Sequence, residues 1–164
     1  MTFCSHFSSS VSICMWIGLW SRAMVWMTEV RYIRKPRISG ILCERMVIAQ
    51  RDEIAFMRTW LRDRGQAVPD ANATHHRMKM NGVEHDMLMP GMLSPEELKQ
   101  LDKARNDEWD RLFLTFMIKH HEGAITMVDQ LFASYAAAQD ETVFKFADDV
   151  GVDQTTEIAR MERM

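Results

Sequence analysis

Ser94-Pro95-Glu96-Glu97-Leu98-Lys99-Gln100-Leu101 opens the stretch that decides the fold. Ser94 reads as a helix N-cap. Pro95 reads as the first helical residue, where its missing N–H is no loss, and Glu97 completes a capping box. From this start a helical pattern runs to about Ser134, with a kink expected near Arg105-Asn106. Trp109, Leu112, Phe113, Phe116, Met117, His120, Ala124, Met127, Val128 and Leu131 fall on one stripe of it. A further helix over about 141–163 offers Val143, Phe144, Phe146, Ala147, Val150, Ile158 and Met161, with Gly151 as its weak point. Residues 94–164 therefore read as a helical hairpin, the second half of a small antiparallel bundle.

Working upstream, residues 66–93 contain Pro69, Gly82, Pro90 and Gly91 and keep no period, so they read as a connection, long for a compact domain. Before it, Ile41, Met46, Val47, Ile54, Met57 and Leu61 mark a helix over about 39–64. Arg62 and Arg64 followed by Gly65 are a good stop signal. An apolar segment over 11–33 precedes it and ends at Pro36. An internal echo ties the halves together. Gln50, Glu53, Ile54, Ala55 and Met57 recur as Gln154, Glu157, Ile158, Ala159 and Met161, each 104 positions later. The expectation is a single all-α domain over 1–164. Two hairpins, 11–65 and 94–164, related by duplication, form an antiparallel four-helix bundle around a connection at 66–93.

With 164 residues and 47% apolar content, the chain is long and apolar enough for one buried core. A net charge of -3 gives no basic excess for nucleic acid. Cys4, Cys14 and Cys43 make no CxxC and no zinc spacing. Val11–Trp20 is too short to span a bilayer. It reads either as the core of a signal peptide, with Ser21-Arg22-Ala23 as a cleavage site, or as part of a first helix; no Lys or Arg precedes it. No Glu-x-x-His, HExxH, GxSxG, Walker loop or GxGxxG occurs, and no nucleophile stands out, so an enzyme is not expected.

The chemistry-bearing residues lie in two clusters. The connection holds His75, His76, Met78, Met80, His85, Met87, Met89 and Met92, three His and five Met within 18 residues, out of 15 Met in the chain. A segment read as loop needs no packing Met. Thioether and imidazole together suit Cu(I), and imidazole also suits Cu(II), whereas hard cations want carboxylates. The plainer alternative is a loop whose Met pack over the end of the bundle. The second cluster is Met117-Ile118-Lys119-His120-His121-Glu122-Gly123-Ala124-Ile125-Thr126-Met127. Met117 lies three and four residues before the His pair, on a shared helical face. His120 belongs to the apolar stripe, and a buried imidazole must ligate something or be hydrogen-bonded. Asp153, Gln154 and Glu157 are the partners expected from the facing helix. Met46, Met57 and Met161 read as core filler.

These residues resemble a known family. Met89-Pro90-Gly91-Met92, the Phe116–Met127 run with its paired His and Gly-Ala step, and Asp153-Gln154 through Glu157-Ile158 and Met161 are similar to the bacterial domain of unknown function 305 family over about 45–164. The resemblance implies a ferritin-like four-helix bundle, a periplasmic or secreted setting and, for some members, copper binding. It carries to His120, His121, Met117 and Met127, with the Met/His-rich connection beside them. The departure is Trp20–Thr28, where two-repeat members carry a paired His and this chain has none.

The functional expectation is a copper-binding protein that sequesters or buffers the ion in the cell envelope, with a protein partner in copper handling as a further possibility. The connection would capture Cu(I), and His120 with His121 would form a more rigid site. The rival expectation is a metal-independent interaction module that uses the Met-rich segment as a plastic contact surface.

Overall fold

The computed structural model describes residues 39–68, 75–80, 83–133 and 140–164, and of 39–41, 43, 75–80 and 83–87 the backbone alone. The elements in order are α1 (Ser39–Asp63), β1 (His75–Met80), β2 (Val83–Leu88), α2 (Pro95–Lys103), α3 (Asn106–Ala133) and α4 (Glu141–Met161). The architecture is an all-α bundle with one short hairpin set into its connection. The expected first helix over 11–33, Cys4, Cys14 and the Trp20–Thr28 segment lie outside the described residues.

The helix boundaries follow from local chemistry. α1 ends in a Schellman arrangement: the Gln66 N–H reaches the Leu61 carbonyl and the Gly65 N–H reaches that of Arg62. Gly65 takes a φ of +64°, which glycine adopts without strain. The capping box at α2 forms as read. The Glu97 N–H donates to Ser94 Oγ at 3.2 Å, and the Ser94 N–H donates to Glu97 Oε2 at 2.7 Å. Asp140 caps α4 by accepting from the N–H groups of Thr142 and Val143, and Nη2 of Arg64 lies 2.7 Å from its Oδ2. Burial pulls the Asp140 carboxyl upward, but the Val143 N–H and the Arg64 guanidinium outweigh it and hold the group below its ordinary range.

Two expectations need correction. The helix read over 94–134 is two helices, because the chain leaves helical geometry at Ala104 and re-enters through Asn106 at a φ of +52°. Asn is among the few side chains that tolerate this region. The break falls where the kink was expected. The second correction is that the connection read as loop contains the antiparallel pair β1–β2.

The core has two parts. One joins Ile54, Met57, Trp60 and Leu61 of α1 to Met127, Val128 and Leu131 of α3, Val143, Ala147 and Val150 of α4, and Met89 and Met92. The other joins Leu42, Met46 and Val47 to Leu101, Trp109, Phe113, Phe116, Met117 and Met161. Met46, Met57 and Met161 are core, as their spacing implied. Among the described residues no helix is long and apolar enough to cross a membrane.

Candidate metal centre

Consecutive helical residues point about 100° apart, so burying both His120 and His121 requires α3 to be enclosed on two sides. It is: His120 is 5% exposed and His121 not at all. Their situations differ. His121 is engaged at both ring nitrogens. Nδ1 lies 2.9 Å from the Met117 carbonyl, to which it donates, and Nε2 lies 2.7 Å from Oε2 of Glu157 on α4. The sequence offered Glu157 and Gln154 as partners of His120; the side chain that Glu157 holds is His121.

His120 Nε2 is buried with no hydrogen-bond partner among the described residues. Burial first, and the neighbouring His121 second, push the His120 imidazole down to about 3, against a pull upward from a hydrogen bond to the Gly91 backbone. The result is an imidazole held neutral by burial, with Nε2 unpartnered among the described residues. Neutral imidazole is the form that binds metal.

Gly91 meets α3 at His120 because of a turn that the sequence dictates. In Met89-Pro90-Gly91-Met92 the Met92 N–H donates to the Met89 carbonyl at 3.1 Å, and Gly91 has a φ of +74°. Pro at the second position and Gly at the third are what a type II turn requires. The turn packs backbone to backbone on α3. A Cβ on Gly91 would come within 2.7 Å of the His120 carbonyl oxygen and 2.9 Å of Gly123 Cα, and a Cβ on Gly123 would collide with Gly91. Met89 and Met92, flanking Gly91, are 3% and 6% exposed. Two thioethers are thus buried in the turn that packs on α3.

A polar group whose chemistry the sequence reading did not single out lies on the Glu157 side of the core. Glu53 on α1 is pushed up to about 8, chiefly by burial and then by the negative charges of Asp153, Glu157 and Asp52. Among the described residues its Oε2 has no hydrogen-bond partner, nor do Oε1 of Gln50 and Oε1 of Gln154, all three atoms buried. Gln50 and Glu53 are the α1 copies of Gln154 and Glu157, so the internal echo held the signal.

Of the expected site residues, Met117, Met127, Met89 and Met92 are buried in the core, His120 and His121 are buried on α3, and Gln154 and Glu157 line α4. Asp153 is exposed and acts on Glu53 through its charge. The side chains of His75, His76, Met78, Met80, His85 and Met87 lie outside the described ones; their backbone forms β1 and β2. Among the described residues no three His, Cys, Asp or Glu side chains converge as a metal cage. Met89 and Met92 belong to the turn that packs on α3 at His120, and thioether with imidazole suits a soft ion such as Cu(I), whereas Mg²⁺ and Ca²⁺ want carboxylates.

Comparison with known proteins agrees with this architecture. A DUF305 fragment from Deinococcus radiodurans superimposes with a TM-score of 0.74 at 21% identity, covering 94% of this chain and 93% of that one. A putative secreted DUF305 protein from Streptomyces coelicolor gives 0.72 at 19% identity, over 93% and 89%. CopM in its Cu(I)-bound form gives 0.68 at 23% identity, over 94% and 93%. At these identities the likeness establishes the fold. No curated protein matches the sequence. The family model for the domain of unknown function DUF305 matches residues 27–164, and the chain belongs to that family.

Proposed function

We propose that this protein is a non-enzymatic copper-binding protein that sequesters or buffers the ion in the cell envelope. The observation that carries the reading is the buried Nε2 of His120, unpartnered among the described residues on a ring that burial holds neutral. A buried polar atom without a partner is costly unless something fills its place, and a neutral imidazole lone pair is a ligand in waiting. Met89 and Met92, fixed on either side of Gly91, and Met117 and Met127, on the same stripe of α3 as His120, are the thioethers from which the remaining ligands would come. A bound copper ion would supply the positive charge that this lone pair lacks. In this reading His121 positions α3 against α4 through Glu157, because both its nitrogens are already engaged.

The copper-bound structures of CopM, with Cu(I) and with Cu(II), support copper as the ion to test first. A DUF305 neighbour described as a putative secreted protein supports the envelope setting. The test is Cu(I) titration against a chromophoric chelator, with a melting curve at each step. Tight binding with a raised Tm, both lost in His120→Ala, is the expected result. Binding that is unchanged in His120→Ala removes the buried ligand. No binding at all leaves a Met-rich contact module as the better account.

A further inference from the structure

Between α1 and α4 the core holds three buried oxygen atoms with no hydrogen-bond partner among the described residues: Oε1 of Gln50, Oε2 of Glu53 and Oε1 of Gln154. Gln50 is 2% exposed and Gln154 3%. Gln50 and Glu53 lie three residues apart on α1, one turn along a single helical face. On α4, Gln154 follows Asp153 and lies one turn before Glu157, and the negative charges of both those residues act on Glu53. The internal echo thus sets the same pair, Gln with Glu a turn later, on each of the two helices. Their packing brings both amides and the Glu53 carboxyl to one side of the core.

The chemistry of the cluster is one-sided. All three atoms are acceptors, and buried acceptors are normally paired. The charges that act on Glu53, from Asp153, Glu157 and Asp52, are all negative and add to its burial. A cation is the group that would meet the acceptors and offset the charge together. Glu157 is already engaged with His121 through Oε2. Asp52 and Asp153 are exposed. These three carboxylates therefore contribute field, and the ligands are the atoms left bare.

We propose that Gln50, Glu53 and Gln154 form a site for one hard divalent cation, with Ca²⁺ the best fit, separate from the centre at His120. The donor set is all oxygen, one carboxylate and two amide carbonyls. It lacks the sulfur and nitrogen that Cu(I) prefers. Ca²⁺ accepts amide carbonyls, tolerates irregular geometry and fills its remaining positions with water, whereas Mg²⁺ demands a near-ideal octahedron. An ion held there ties α1 to α4 and so serves stability. The site stands whether or not the protein handles copper.

The test is the melting temperature of the full chain at pH 8, freed of metal with a chelator and then titrated with CaCl₂ or MgCl₂. Calorimetric titration counts the equivalents. CaCl₂ is expected to bind at one equivalent, to raise Tm, and to do both at lower concentration than MgCl₂. Glu53→Gln keeps the shape of the side chain and should melt at or above wild type without metal. Loss of its response to CaCl₂ then reports a lost ligand and not a misfolded chain. Gln50→Leu and Gln154→Leu should each weaken binding by about tenfold or more, and the exposed Asp153→Asn by less. His120→Ala should keep the CaCl₂ response in full, and Glu53→Gln should keep its Cu(I) equivalents, so the two sites fail separately. The proposal is overturned if CaCl₂ leaves the wild-type Tm unchanged. An equal rise in Glu53→Gln also overturns it, by placing the ion on surface carboxylates.

Discussion

Gly91 and Gly123 face each other with no side chain between them, and this contact seats the Met89–Met92 turn on α3. The helix and the turn approach so closely that neither position has room for a methyl group. Gly123→Ala is therefore expected to destabilise the protein by about 3 kcal/mol, the upper range for overpacking a rigid site. Because the displaced element carries the Gly91 carbonyl and both flanking Met, the variant should also weaken Cu(I) binding. Chemical denaturation and Cu(I) competition on the same sample measure both effects. Loss of stability with copper affinity intact would show that the turn does not serve the metal centre.

The hydrogen bond between His121 and Glu157 joins α3 to α4 across the core. His121 is fully buried, whereas the Glu157 side chain keeps 28% of its exposure. Removing the partner of a buried nitrogen costs more than removing the bond alone, so Glu157→Ala should lower stability by about 2 kcal/mol. Glu157→Gln, which can still accept from Nε2, should recover part of the loss. If His121 positions helices and His120 ligates, Glu157→Gln leaves the Cu(I) equivalents unchanged, as chelator competition would report.

The helices were legible because each carries its own start and stop chemistry. Ser94, Pro95 and Glu97 name the first residue of α2, and Arg62, Arg64 and Gly65 name the end of α1. The break before Asn106 was legible as a kink only, since Asn at positive φ is permitted by the sequence and not demanded by it. The hairpin does not show as apolar alternation, because here the alternation is between charged residues and His or Met. Its signal was Asn81-Gly82, the dipeptide a two-residue hairpin connection prefers, between stretches that alternate with period two. At the candidate centre, sequence located both His and offered Glu157 to His120, whereas it is His121 that Glu157 meets. One residue along a helix changes which neighbour a side chain meets, and only packing decides it. Glu53 was visible as the copy of Glu157, yet its burial depends on where α1 sits.

Acid should act on the protein through His120. Its imidazole is depressed to about 3 from an ordinary 6.5, so between those values the unfolded chain holds a proton that the folded chain does not. The stability this neutral ring contributes is complete above pH 6.5 and is lost as pH falls toward 3. His120→Gln removes the titration, and its stability should fall less steeply with acid than that of wild type, below pH 4.5 most clearly. Denaturation midpoints at a series of pH values supply the comparison. Parallel curves would place the acid sensitivity elsewhere.

Glu53 works in the opposite direction. Its carboxyl is raised from 4.5 to about 8, so the folded protein keeps a proton that the unfolded chain releases. The stability tied to it is complete below pH 4.5 and is lost as pH rises to about 8. Between 4.5 and 6.5 the two groups oppose each other: lowering the pH costs stability at His120 and returns it at Glu53. The wild-type profile should therefore be nearly flat in that interval and fall between 6.5 and 8. Glu53→Gln keeps the shape of the protonated acid without its charge. It should raise Tm, most strongly at pH 8, and expose the acid slope of His120 from 6.5 downward. Melting curves of the two proteins across this range decide the matter. A Tm gain that is the same at pH 5 and pH 8 would mean that Glu53 does not hold its proton in the fold.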